Sequence, residues 1–156
     1  MKKLVVISTV LIVLIAVGGF LAKSKYDSML AATSQGLSLG SEHGKMGFQS
    51  HCMIGLKIKY ASCATTECEL SANGYIVGCM ETARKDDFCN NVPRLHDTNR
   101  ALYWASKTCA ENSLDEDRCP KYLHKFVSIC TGQAEGRTIS RKELFESGLE
   151  KGLKPR

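Results

Sequence analysis

The 156-residue chain contains no C-x-x-C pair and no two histidines at i, i+4. The first absence removes the usual home of a reactive thiolate, a cysteine pair at a helix N-terminus. The second removes the helical histidine pair of many zinc enzymes. Gly36-Leu37-Ser38-Leu39-Gly40 has the G-x-S-x-G spacing, but no strand pattern precedes it, as the nucleophile turn of serine hydrolases requires. His43, His51, His96 and His124 are scattered, and only His51 has a cysteine beside it. Aromatics make up only 7% of the chain, and basic residues never gather into an arginine-rich patch. That argues against a nucleic-acid partner. No cysteine closely follows the apolar N-terminal run, which argues against a lipoprotein anchor. No cofactor, metal site or catalytic residue is expected from these patterns.

What the chain does have is eight cysteines, all between Cys52 and Cys130, a segment of 79 residues. Three pairs share an eleven-residue spacing: Cys52 and Cys63, Cys68 and Cys79, Cys119 and Cys130. Eleven residues make about three helical turns, so both thiols of a pair fall on one face. Cys68, Ala72, Tyr75 and Cys79 keep the same rhythm as Cys119, Leu123, Phe126 and Cys130, and Cys52, Leu56, Lys59 and Cys63 follow it too. A core this small is marginal without covalent staples. An even cysteine count in a short segment therefore reads as a disulfide framework in an oxidising compartment.

The N-terminus points to that compartment. Lys2 and Lys3 precede an uncharged, mostly aliphatic stretch over residues 4–22, close to the ~20 residues that span a bilayer. A retained signal-anchor puts residues 1–3 in the cytoplasm and the rest in the periplasm or another extracytoplasmic space. The alternative is a secreted protein cleaved after Gly18, with Ala16 and Gly18 as the small −3 and −1 residues. Without Lys2 and Lys3 the chain keeps 19 basic and 16 acidic residues, an interspersed surface. Residues 23–46 read as a juxtamembrane stalk, flexible or partly helical. Gly36, Gly40 and Gly44 stand at four-residue steps there, a possible stripe for close helix contact.

Residues 47–133 read as an all-α domain of two antiparallel αα-hairpins, about four helices. The first pair covers residues 45–64 and 67–84, with Thr65 and Thr66 at the turn and Glu67 and Glu69 favouring the helix start. After a polar break from Lys85 to Pro93 come helices from Asp97 or Thr98 to Glu111 and over residues 118–131. Asp117 is the expected N-cap of the last, with Pro120 in its first turn. The two hairpins, offset by 51 residues, suggest an internal repeat. Register-matching pairs Cys63 with Cys68 and Cys52 with Cys79. In the second unit Cys109 pairs with Cys119. Thr98 stands where a fourth cysteine would match Cys52, and Cys89 reaches back to Cys130 instead. This is one of 105 connectivities. Residues 134–156 form a tail with one short helix, in which Ser140 and Glu143 make a capping box and Leu144, Phe145 and Leu149 share a face.

The spacings Cys79–Cys89 and Cys109–Cys119 resemble the twin C-x9-C coiled-coil-helix proteins of the mitochondrial intermembrane space, over about forty residues. That resemblance implies each spacing inside one helix and bonds such as Cys79–Cys119 or Cys89–Cys109. The intervals cross Lys85-Asp86-Asp87 in one case and end against Pro120 in the other. A third reading, a small exported hydrolase, would draw on Asp86, Asp87, Asp115, Glu116, Asp117, His96 or His124. The expected function is a membrane-anchored extracytoplasmic binding or scaffold protein of the cell envelope. An assembly factor, an inhibitor or an immunity protein would fit. Its anchor is residues 4–22 in the inner membrane, its partner a protein, and Tyr103, Trp104 and Tyr122 are the candidate contact residues, since aromatics dominate binding hot spots.

Overall fold

Thr65 begins the helix around which the rest of the chain is arranged. Its hydroxyl accepts from the Cys68 amide at 3.2 Å, satisfying one of the free N–H groups at a helix start. Glu67 and Glu69 add negative charge at the positive end of the dipole. The computed structural model describes residues 2–136 apart from residue 116, with side chains from residue 17 onward. The described residues form α1 (Lys2–Lys45), α2 (Gln49–Tyr60), α3 (Thr66–Thr82), α4 (Thr98–Glu111) and α5 (Cys119–Ala134). A short 3₁₀ helix (Asp87–Asn90) lies between α3 and α4. The architecture is all-α, and α3 packs against α1, α2 and α5, while α4 lies against α5. The expected tail helix, with Ser140, Glu143, Leu144, Phe145 and Leu149, lies outside the described residues.

Four disulfides close the hairpins. Cys63–Cys68 ties the turn of the first and Cys52–Cys79 its open end, with Cα atoms 5.5 and 5.7 Å apart. Cys109–Cys119 ties the turn of the second, and Cys89–Cys130 draws the 3₁₀ helix onto α5. This differs from the connectivity that a twin C-x9-C arrangement implies. The physical reason is that α3 stops at Thr82 and Ala83 is extended, so Cys79 and Cys89 do not share a helix.

The largest departure from the sequence reading concerns residues 23–46. They are no separate stalk but the continuation of α1, and the last third of that helix lies along α3. A Cβ on Gly40 would sit 2.8 Å from the Tyr75 Cα, and one on Gly36 would sit 2.9 Å from the Ser71 Cα. Gly74 and Gly78 of α3 answer from the other side, where a Cβ would meet Leu37 N and Ser41 N, each at 2.9 Å. Two glycine-bearing faces thus let two backbones approach almost to contact, the packing that small residues permit. The contacts ascend together, Gly36 with Ser71 and Gly40 with Tyr75, so α1 and α3 run parallel. The Thr82 hydroxyl donates to the Ser41 carbonyl at 3.0 Å, and His43 Nδ1 meets the Tyr75 hydroxyl.

The helix expected over residues 45–64 starts later, at Gln49. Phe48 is extended, and Gly47–Gln49 pairs with Arg84: Arg84 N donates to Gly47 O and Gln49 N to Arg84 O, both at 3.0 Å. The Arg84 guanidinium lies 4.3 Å from the Phe48 ring centre. Asp117 is not the cap of α5: Arg118 holds the N-cap position, with no side-chain cap hydrogen bond. Asp115 organises the turn before it, accepting from the Asp117 and Arg118 amides at 3.1 and 2.9 Å. At the end of α4, Ser113 adopts a left-handed φ of 53°. Leu114 N then donates to Cys109 O, and buried Leu114 seals the turn.

Tyr75, Tyr122, Phe126, Leu56, Ile76, Met80 and Leu123 fill the core among the cystines. Phe88 of the 3₁₀ helix meets Phe126 edge-on at 5.3 Å. No helix among the described residues is long and apolar enough to cross a membrane. Residues 4–16 of the expected span belong to the part of α1 whose side chains are not described.

Candidate functional site

The acids and histidines weighed for catalysis are spread over structural tasks. Asp86 accepts from the Ser50 amide at 3.2 Å and from the Phe88 amide at 3.2 Å, joining α2 to the 3₁₀ helix. Burial works to raise its pKa, but these hydrogen bonds prevail and hold it below the ordinary carboxylate value. Asp87 accepts from the Asn90 side chain, and Asp115 holds the turn before α5 by accepting from the Arg118 amide. Asp117 and His96 are exposed, His124 lies on α5, and Glu116 lies outside the described residues. All eight cysteines are in disulfides and none is free. Among the described residues no group of three or more His, Cys, Asp or Glu side chains could hold a metal ion.

The aromatic trio proposed for partner contact is not one patch. Tyr103 is open to solvent and Trp104 packs partly against the core. Tyr122 is fully buried. The reason lies in helical phase: α5 turns the Cys119, Leu123, Phe126, Cys130 stripe inward, and Tyr122 falls on the flank of that stripe that meets α3. Its hydroxyl has no hydrogen-bond partner. Burial pushes its pKa up to about 12, helped by the charges of Asp115 and Glu69. Beside it Glu69 holds Arg118 in an ion pair at 3.0 Å, bridging α3 and α5. Tyr103 remains, with Leu102, as exposed apolar surface on α4.

A second polar cluster sits where α1, α2 and α3 meet. His43 reaches Tyr75, and the Tyr75 ring lies 5.6 Å from that of Tyr60, whose hydroxyl shares a hydrogen bond with Ser71. Burial pushes the Tyr75 hydroxyl up to about 12, with a further push from Tyr60. Gly55 of α2 makes room for the meeting, because a Cβ there would strike both His43 and Tyr75. The cluster clamps α1, α2 and α3 together.

What the sequence reading missed is on α2. Its inner face carries Cys52, Leu56 and Tyr60 into the core. Its outer face carries Ile54 at 55% exposure and Ile58 at 76%. Phe48 and His51 continue that line, their rings edge-on at 6.0 Å. The signal was present in the letters: apolar residues on α2 exceed what the cysteine stripe can absorb. The chemistry this surface offers is association, since it holds no acid–base pair, no thiol and no metal-ligating set. No family model matches the chain, and no curated protein or solved structure matches it either.

Proposed function

We propose that this protein is a membrane-anchored helical binding or scaffold protein at the extracytoplasmic face of a cell envelope, of the assembly-factor, inhibitor or immunity kind. The observation that carries the reading is the unbroken α1 helix, which joins the apolar residues 4–22 directly to the disulfide-stapled domain. At 1.5 Å per residue those nineteen residues measure roughly 28 Å, close to the ~30 Å of a bilayer's hydrocarbon core. Lys23 and Lys25 follow at once, where long basic side chains reach the interface. From residue 22 to Met29, the first half-buried residue among those of α1 whose side chains are described, the helix rises only about 10 Å. A rigid link that short would hold the domain at one height and one tilt above the membrane. Because α1 and α3 run parallel, the Cys63–Cys68 and Cys109–Cys119 turns would face the bilayer. Four disulfides suit an oxidising space and resist unfolding there.

The test is fractionation of cells that make the full chain, with an alkaline carbonate wash of the membranes, external protease treatment and thiol alkylation without reductant. The proposal expects a membrane-retained chain, a domain reached from outside, and eight cysteines that do not alkylate. A soluble product beginning at Gly19, or cysteines that alkylate without reduction, would overturn it.

A further inference from the structure

We infer that the outer face of α2 is a docking surface for an acidic amphipathic helix of a partner protein. The inference rests on the binding-protein reading above and supplies the chemistry of its partner. His51, Ile54 and Ile58 lie along one line of α2, at steps of three and four, and Phe48, extended just before the helix, continues it with its ring 6.0 Å from that of His51. The helical part of the line is about 10 Å long, and all four residues are exposed. Apolar residues at i, i+3, i+4 and i+7 spacings are how a partner helix is gripped in a helix-on-helix contact.

Charge decides what such a partner must be. Residues 45–66 contain no aspartate or glutamate at all, while Lys45, Lys57 and Lys59 are exposed. Lys57 and Lys59 flank Ile58, and Arg84 caps the other end of the line over the Phe48 ring. Asp86, which bonds the start of α2, is held by the Ser50 and Phe88 amides. A second copy of this chain would bring Lys57 and Lys59 against Lys57 and Lys59. The chain's own residues 137–156 carry six basic and three acidic residues, the same sign as the face. Like charges at close quarters oppose both occupants, and an acidic helix with an apolar stripe satisfies the isoleucines and the lysines together. Electrostatic complementarity of this kind selects partner and orientation more than it adds raw affinity.

The probe is a synthetic helical peptide with leucines at i, i+3, i+4 and i+7 and glutamates elsewhere, and its counterpart with lysines in place of the glutamates. Binding to the full chain in detergent micelles is followed by fluorescence anisotropy. The acidic peptide is expected to bind at least tenfold more tightly than the basic one. That preference should weaken as salt is raised. Ile58→Glu, and separately the double change Lys57→Glu with Lys59→Glu, should each weaken it at least tenfold. Both sites are exposed, and unchanged circular dichroism melting keeps the comparison clean. Equal affinity for the two peptides, no binding of the acidic one, or indifference to the variants would overturn the inference. Two further results would reassign the face and overturn it as well. One is a concentration-dependent dimer abolished by Ile58→Glu. The other is a tenfold gain in peptide affinity on deleting residues 137–156. The assay needs no membrane or cell, so its failure is separate from failure of the anchor test.

Discussion

Replacing Gly40 with alanine should detach α1 from the domain while leaving the hairpins folded. The new Cβ would lie 2.8 Å from both Cα and C of Tyr75. Carbon atoms rest at about 3.5–4.0 Å, so the two backbones must part locally by roughly 1 Å. A gap of that size forfeits a quarter to a half of each contact along the seam, and forced overpacking costs about 1–3 kcal/mol. Here the obstacle is backbone, so the upper end applies. Alanine gives back about 1 kcal/mol through its better helix propensity. The net loss is about 2 kcal/mol. No cysteine lies in α1, so no disulfide resists its opening. The assay is native-state hydrogen exchange on the full chain. Amides of residues 30–45 should exchange about 30-fold faster, the factor that 2 kcal/mol represents, while those of α5 stay as slow as before. Gly19→Ala, whose Cβ meets nothing within 4 Å, is the control and should not accelerate exchange. Unchanged or increased protection of α1 in the Gly40 variant would refute the close-packing argument.

Three other expectations follow from the same geometry. Removing Cys89–Cys130 by a double serine substitution should cost about 4 kcal/mol, and removing Cys63–Cys68 about 2, because loop-closure entropy grows with the sequence separations of 41 and 5; denaturant titration would show the order, and a larger loss at the short loop would contradict it. Asp86→Asn should destabilise the protein by about 1 kcal/mol at pH 7, because the Ser50 and Phe88 amides bond a charged carboxylate more strongly than a neutral amide oxygen. Because the folded pKa of Asp86 is depressed, its contribution is present above the unfolded value of 3.8 and fades as pH falls through the folded one; wild type and variant should therefore converge in thermal melts at strongly acid pH. Tyr122→Phe should be neutral or stabilising by up to about 1 kcal/mol, since it deletes a buried hydroxyl with no partner. Tyr75→Phe should instead lose about 1 kcal/mol with its His43 contact, and equal effects of the two in urea denaturation would count against this distinction.

The residues differ in how far their role could be read from the letters. Helix caps and starts are local, so Thr65 and Asp97 act where their sequence context puts them, accepting from Cys68 and Arg100 amides. Asp117 is a good cap by type, yet Arg118 holds the N-cap of α5. The turn that buries Leu114 brings the Asp115 carboxylate, not that of Asp117, under the Arg118 amide. Tyr122 stands one residue from the inward stripe of α5, and its burial depends on α3 lying over that flank, which no local pattern states. Ile54 and Ile58 needed the structure for the opposite reason. An apolar residue is exposed only if no other element comes to cover it.

By itself the sequence made the helical class legible and pointed to the staples. Periodicity over eleven residues is a property of a single helix, and matching two such spacings across a short turn selects Cys63–Cys68 and Cys52–Cys79 from the many pairings open, whereas Cys89–Cys130 has no such match and was closed by the fold. Only the tertiary structure decided what Gly36, Gly40 and Gly44 do. A glycine stripe is permission for close approach rather than a force toward it. It acquires a meaning when α3 presents Gly74 and Gly78 in parallel register and turns a would-be stalk into part of the fold. The same holds for the outer face of α2, whose character as a surface is the absence of a neighbour.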